Sequence, residues 1–227
     1  MEIGRPRMVC CSQKKDSELK TVELIKSRID LNIDYPIEVY EGNTYSLPIQ
    51  YNRAIEEALK DNIDCLMLIH DDVILKEDPV PKLEKLFNRF DLVGLAGASS
   101  IELKSPALWH IMGGRFGSGH LHGMVNHWSE EHKRGFPTNF GHYPMKVVMI
   151  DGVFMALNRK VMEVMRFDED NPARFHFYDL DFSLNCHLNG FSVGVGDVEI
   201  THISPGLREF TDEWRLGEKW FLNKYTN

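Results

Sequence analysis

Apolar and polar positions alternate between helical and extended periods along the first half of the chain. Arg7–Cys11 is a short apolar run, and the stretch from Ser17 to Arg28 and just beyond carries Leu19, Val22, Ile25 and Ile29 at helical spacing. Tyr35-Pro36 interrupts it and Ile37–Tyr40 resumes as a strand, which makes a β-α-β unit. A polar turn at Glu41-Gly42-Asn43 leads through Pro48 to a second helical stretch with Ile49, Ala54, Ile55, Ala58 and Leu59. Asp61-Asn62 breaks it, and Cys65–Ile69 follows as five apolar residues in a row, the pattern of a strand covered on both faces. A third helical stretch, Val80–Phe90, precedes a glycine- and alanine-rich strand at Leu92–Ala98. This alternation predicts an α/β fold with a mainly parallel, Rossmann-like sheet flanked by helices.

The second half changes character. From Ser99 to Pro144 the chain has six histidines, seven glycines and little periodicity, which predicts a long loop of functional importance. Order returns at Val147–Leu157, then in a short helix at Arg159–Met165. After a polar turn at Asp168–Pro172, a helix over Phe177–Leu188 ends at Asn189-Gly190. Ser192–Ile200 is predicted as the last strand, and Trp214 and Trp220 in the tail from residue 204 are expected to pack.

Composition narrows the classes. A chain of 227 residues that is 43% hydrophobic is expected to form one domain spanning residues 1–227. With 34 acidic against 26 basic side chains it lacks the cationic surplus that phosphate neutralisation demands, which excludes nucleic acid as the expected partner. Cysteines at 10, 11, 65 and 186 form no C-x-x-C pair and point to reduced thiols in a cytoplasmic setting. No apolar stretch reaches membrane-spanning length, so no transmembrane segment is expected.

The strongest chemical signal is the end of the Cys65–Ile69 strand, His70-Asp71-Asp72. Open α/β sheets bind ligands at the carboxyl ends of their strands. In extended chain, residues 70 and 72 share a face with their Cα atoms roughly 6–7 Å apart, so one divalent ion could engage both. An acidic pair that merely caps a turn is the alternative reading of the same residues.

Several segments then resemble, in consistent order over residues 7 to 204, the nucleotide-sugar glycosyltransferases of family 2 type and their small single-domain relatives. These close such a strand with an aspartate motif. Gln50–Ala58 is similar to the helix that precedes the motif, and Ile150–Ala156, containing Asp151 and Gly152, is similar to an acceptor-side segment. Phe177-Tyr178-Asp179-Leu180-Asp181 resembles the start of the helix that carries the catalytic base, with Tyr178 in place of the usual glutamate. Val198–His202 resembles the strand whose histidine completes the metal site, while His70 stands where many relatives have their first aspartate.

The resemblance implies the GT-A fold and a metal-dependent, inverting, non-processive transfer from a nucleotide diphosphate sugar, UDP-sugar favoured, to a carbohydrate or other hydroxyl acceptor. It implies Mn²⁺ or Mg²⁺ held by Asp72 and His202 with His70, and a catalytic base at Asp179 or Asp181. A carboxylate at a helix amino end is expected to stay ionised at neutral pH. Nucleotide and donor are expected near Cys11, Ser12, Gln13, Asn52, Asp71, Asp151 and Gly152. The long loop, about residues 99–144, is expected to face the acceptor. Two rival classes are a zinc metallohydrolase using the loop histidines at 110, 120, 122, 127, 132 and 142, and a non-catalytic module stacking a sugar on Trp109 or Trp128.

Overall fold

The computed structural model describes residues 2–13, 20–101, 119–129, 133–204 and 210–226. Its strands are β1 (Pro6–Cys11), β2 (Ile37–Tyr40), β3 (Cys65–Ile69), β4 (Val73–Leu75), β5 (Leu92–Gly94), β6 (Ala96–Ala98), β7 (Leu121–Ser129), β8 (Arg134–Gly141), β9 (Met145–Val147), β10 (Met149–Ile150), β11 (Phe154–Asn158), β12 (Val193–Val195) and β13 (Ile200–His202). The helices are α1 (Lys20–Asp30), α2 (Leu47–Lys60), α3 (Val80–Leu86), α4 (Arg159–Val164), α5 (Tyr178–Leu188) and α6 (Asp212–Thr226). None of these helices is long and apolar enough to cross a membrane.

The main sheet has the order β2-β1-β3-β11-β5-β12-β9. Its centre explains the unbroken apolar runs. Met8, Cys10, Met67 and Ile69 face one core layer with Leu24 of α1 and Trp214 and Phe221 of α6. Val9, Cys11, Leu66 and Leu68 face the other with Tyr51, Ala54 and Ile55 of α2 and Phe182 of α5. Period-2 alternation thus sends the successive apolar side chains of Met8–Cys11 and Cys65–Ile69 into two layers.

The α/β class is as expected, and the sheet is mixed rather than mainly parallel. β2, β1 and β3 run parallel, as do β5 and β12, but β11 lies antiparallel between β3 and β5. A parallel neighbour needs a crossover helix. β11 is entered at the carboxyl end of β3 through the short turn after β10, so the chain has no option but to run back.

A second sheet, β10-β6-β7-β13-β4, with β8 paired to β7, packs beside the first. It corrects three expectations. Leu92–Ala98 is two strands, β5 and β6, in different sheets, and Ser192–Ile200 likewise divides into β12 and β13. The region expected as loop from 99 to 144 contains the β7–β8 hairpin. Half of β7 and nearly all of β8 stay accessible, so neither carries the strict apolar alternation of a buried strand. Residues 102–118 and 130–132, with Trp109, His110 and His132, lie outside the described residues, as do Ser17 and Leu19. The tail forms α6, with Trp214 buried against Phe177 as expected of a packing residue.

Candidate functional site

The strand-end motif becomes a site because three chain segments meet at the end of β3. His70 is tied to the β10–β11 turn by its N–H, which donates to the Val153 carbonyl at 3.2 Å. Asp72 is tied to the end of β13, since Ile203 N–H donates to its carbonyl at 2.7 Å. β13 pairs antiparallel with β4, with His202 opposite Val73, which swings the His202 ring over Asp72.

As a result, His202 Nε2 lies 3.1 Å and His70 Nδ1 3.9 Å from the same Asp72 oxygen, Oδ1. One ligand atom from each of these three residues falls within 4.8 Å of the others. This is the group among the described residues with metal-holding geometry. Two imidazoles and a carboxylate form a donor set that fits a divalent transition ion. Burial lowers the His70 pKa, helped by His202 and opposed by Asp72, so the ring stays neutral, the form that can ligate.

Beside the triad opens a cleft of about 240 Å³, lined by Cys11, Gln13, Leu47, Tyr51, His70, Asp71, Asp72 and Phe175. Ser12 donates its hydroxyl proton to Asp71 Oδ2 at 2.8 Å, fixing that carboxylate at the cleft wall. The Cys11 thiol is pushed up to about 12 by burial and then by Asp71, so it stays protonated and serves as a small apolar surface.

Asp179 sits in the first turn of α5. Its Oδ2 accepts the Gly152 N–H at 2.7 Å, and Val153 N–H donates to Asp151 Oδ1 at 2.9 Å. A side chain at residue 152 is excluded: a Cβ there would overlap the Tyr178 hydroxyl and approach the Asp179 Cβ. Asp179 is not held ionised as the helix position suggested. Burial and then the Asp151 carboxylate push its pKa up to about 7, outweighing the backbone amides that favour the charged form. The helix amino end loses because the carboxyl is packed under the β10–β11 turn next to a like charge.

Two of the expected residues are placed elsewhere. Asp181 is only 2% exposed and points into the molecule, where its Oδ1 pairs with Lys224 Nζ at 2.7 Å and accepts from Tyr225 at 2.7 Å. It fastens α6 to α5. Asn52 is buried and pins the chain after α4: its amide donates to the Phe167 carbonyl at 2.9 Å and to Glu169, and its oxygen accepts Phe167 N–H at 2.8 Å. Neither side chain is among those lining the cleft.

Leu47, Tyr51, Phe175 and Tyr178 were not legible as site residues, and His127 stood only among the loop histidines of the rival zinc class. Each presents an ordinary packing pattern in sequence, and only the Tyr178 departure from the family pattern signalled anything. His127 lies in register with His202 on the neighbouring parallel strand, 5.6 Å between rings, and stacks on half-exposed Phe136 of β8 at 5.3 Å. A cross-strand row of rings, His202–His127–Phe136, therefore leads away from the triad. The other described loop histidines, His120, His122 and His142, lie near one another without metal-holding geometry: His120 contacts Ser100, His122 contacts Ser99, and His142 is exposed.

Comparison with known proteins extends this picture. Residues 7–225 match the family described as glycosyltransferase-like. The streptomycin biosynthesis protein StrF of Streptomyces griseus is 27% identical over 184 residues, covering 78% of this chain and 60% of StrF. Among solved structures, GalNAc-T7 with UDP, GalNAc and Mn²⁺ superposes with a TM-score of 0.60 at 8% identity, over 97% of this chain and 48% of that one. At that identity the likeness is one of fold.

Proposed function

The chain belongs to the glycosyltransferase-like family and has the GT-A fold, and from that premise we propose that it transfers a sugar from a nucleotide diphosphate donor, UDP-sugar favoured, to a carbohydrate or other hydroxyl acceptor. The transfer is metal-dependent, inverting and non-processive. The observation that carries the reading is the convergence of His70, Asp72 and His202 on one point at the mouth of a cleft whose walls are the ends of β1 and β3. The two core layers on a shared sheet support treating residues 1–227 as one domain.

In this reading His70, Asp72 and His202 would hold the ion. Mn²⁺ suits two imidazoles better than Mg²⁺, which prefers oxygen ligands. When bound, the ion supplies Lewis-acid neutralisation of the charge that develops on the leaving nucleoside diphosphate. Cys11, Gln13 and Asp71 line the cleft that takes the nucleotide, and Ser12 keeps Asp71 oriented. Asp179, fixed by Gly152 N–H, accepts the proton of the attacking hydroxyl at its carboxylate. Asp151 raises the basicity of Asp179, and the His127–Phe136 row offers the acceptor a flat apolar face on the side away from the nucleotide.

The bound UDP, GalNAc and Mn²⁺ of GalNAc-T7 belong to that protein, and they support a similar ligand set here. Calorimetry tests the reading: UDP is expected to bind with Mn²⁺ present and to lose most of its affinity in EDTA or in Asp72→Ala. Equal UDP affinity with and without the ion would reject the metal dependence.

A further inference from the structure

Tyr178 occupies the position where the resembled family usually has a glutamate, and its surroundings explain what a phenol can do there. The ring is 4% exposed, edge-on to Tyr51 at 5.6 Å and tilted against Phe167 at 6.2 Å, which fixes its direction. Its hydroxyl lies 3.2 Å from the Gly152 carbonyl oxygen and 2.9 Å from His70 Nε2.

Only one arrangement of protons makes both contacts hydrogen bonds. A carbonyl can only accept, and a phenol has one proton to give. An ordinary phenol, with a pKa of about 10, keeps that proton at neutral pH. With the proton donated to Gly152, the hydroxyl oxygen serves as acceptor for His70, and Nε2 must carry the imidazole hydrogen. The Nδ1 lone pair then faces Asp72 Oδ1, 3.9 Å away, the atom that His202 also addresses. In the other tautomer an N–H would point into the middle of the triad and oppose a cation. The carboxylate–histidine–metal arrangements of other proteins use an outer hydrogen bond in the same way.

We propose that Tyr178 is a positioning residue whose hydroxyl, donating to the Gly152 carbonyl and accepting from His70 Nε2, holds His70 in the tautomer that directs Nδ1 at Asp72 and His202. Gly152 joins this network to the base, because its N–H donates to Asp179 Oδ2 while its carbonyl accepts from Tyr178. One glycine, with no room for a Cβ, thus spaces the proton acceptor from the triad. The role in cation binding rests on the metal reading above; the tautomer does not.

Nitrogen-15 NMR of histidine-labelled, metal-free protein, above the pH at which His70 titrates, tests the tautomer directly. The wild type is expected to show His70 with hydrogen on Nε2. Tyr178→Phe, which keeps the ring against Tyr51 and Phe167, is expected to show a mixture of tautomers. Its Mn²⁺ affinity, read by electron paramagnetic resonance, is expected to fall about 10- to 100-fold. A purely structural tyrosine would leave both readouts unchanged in a folded Tyr178→Phe protein, and that result overturns the proposal. Hydrogen on Nδ1 in the wild type also overturns it and needs no variant. A wild type with the Nε2 hydrogen that binds no Mn²⁺ instead overturns the metal reading and leaves the tautomer assignment standing.

Discussion

Replacing Asp179 by asparagine separates a base from a structural acceptor with a change of one atom. Asparagine keeps an oxygen for the Gly152 N–H, which Asp179 Oδ2 accepts at 2.7 Å, so the turn and the start of α5 are expected to survive. What disappears is the capacity to take a proton. Loss of a positioned general base slows turnover by about 10²- to 10⁴-fold, while UDP binding with Mn²⁺ should change little because residue 179 does not line the nucleotide cleft. The raised pKa adds a second signature. With a carboxyl at about 7, half of the metal-free enzyme has the base ready at pH 7. Two pH units lower the ready fraction is about one hundredth, a factor of ten per unit. A bound divalent ion favours the carboxylate, so the acid limb of kcat in the loaded enzyme is expected at or below 7. Asp151→Asn removes the neighbouring charge that raises Asp179, and the limb should move further down. The assay is initial rate of nucleoside diphosphate release from pH 5 to 8, with donor, acceptor and Mn²⁺ saturating. Wild-type turnover in Asp179→Asn would refute the assignment, and so would an acid limb that ignores Asp151→Asn.

Three further outcomes follow from the same geometry. Asp181→Asn is expected to lower stability by about 1 kcal/mol or less in urea denaturation, because burial disfavours the Asp181 carboxylate and Lys224 keeps its ion pair with Asp168 at 2.6 Å, with kcat nearly unchanged. The metal-free protein is expected to become less stable between about pH 4 and 7: the unfolded Asp179 gives up its proton near 3.8 while the folded one holds it to about 7. Calorimetric melting should therefore show Asp179→Asn gaining on the wild type as pH rises through that window, and a constant difference would contradict it. Phe136→Ala is expected to raise the acceptor KM and leave UDP affinity alone, since Phe136 extends the ring row beyond His202 and His127.

Comparison of Asp179 with Asp181 shows why site residues are harder to read than strands. Both are carboxylates two positions apart on α5, and a helix turns through about 200° over two residues. One therefore meets Gly152 and the other meets Lys224 and Tyr225 of α6, partners that no local pattern couples to them. Asn52 is a similar case. Its motif position resembled a donor-side residue, but its side chain is consumed by Phe167 and Glu169.

Sequence by itself determined the elements whose cause is local. Five consecutive apolar residues at 65–69 require a strand buried on both faces, and the polar triplet that follows can only emerge at its carboxyl end. The helical spacing of α2 and the Asn189-Gly190 stop of α5 are equally local, with Gly190 at a positive φ of 87°. Tertiary structure alone decided that β11 runs backwards and that the histidine-rich stretch contains a hairpin. It also decided that His127, Tyr178 and Phe175 join the site. Each depends on which distant segment supplies the opposing surface: β7 and β13 meet at His127 and His202, 75 positions apart in chain order. Periodicity records only how one segment divides its own faces between core and water, whereas a hydrogen bond or a shared metal ligand is a relation between two segments.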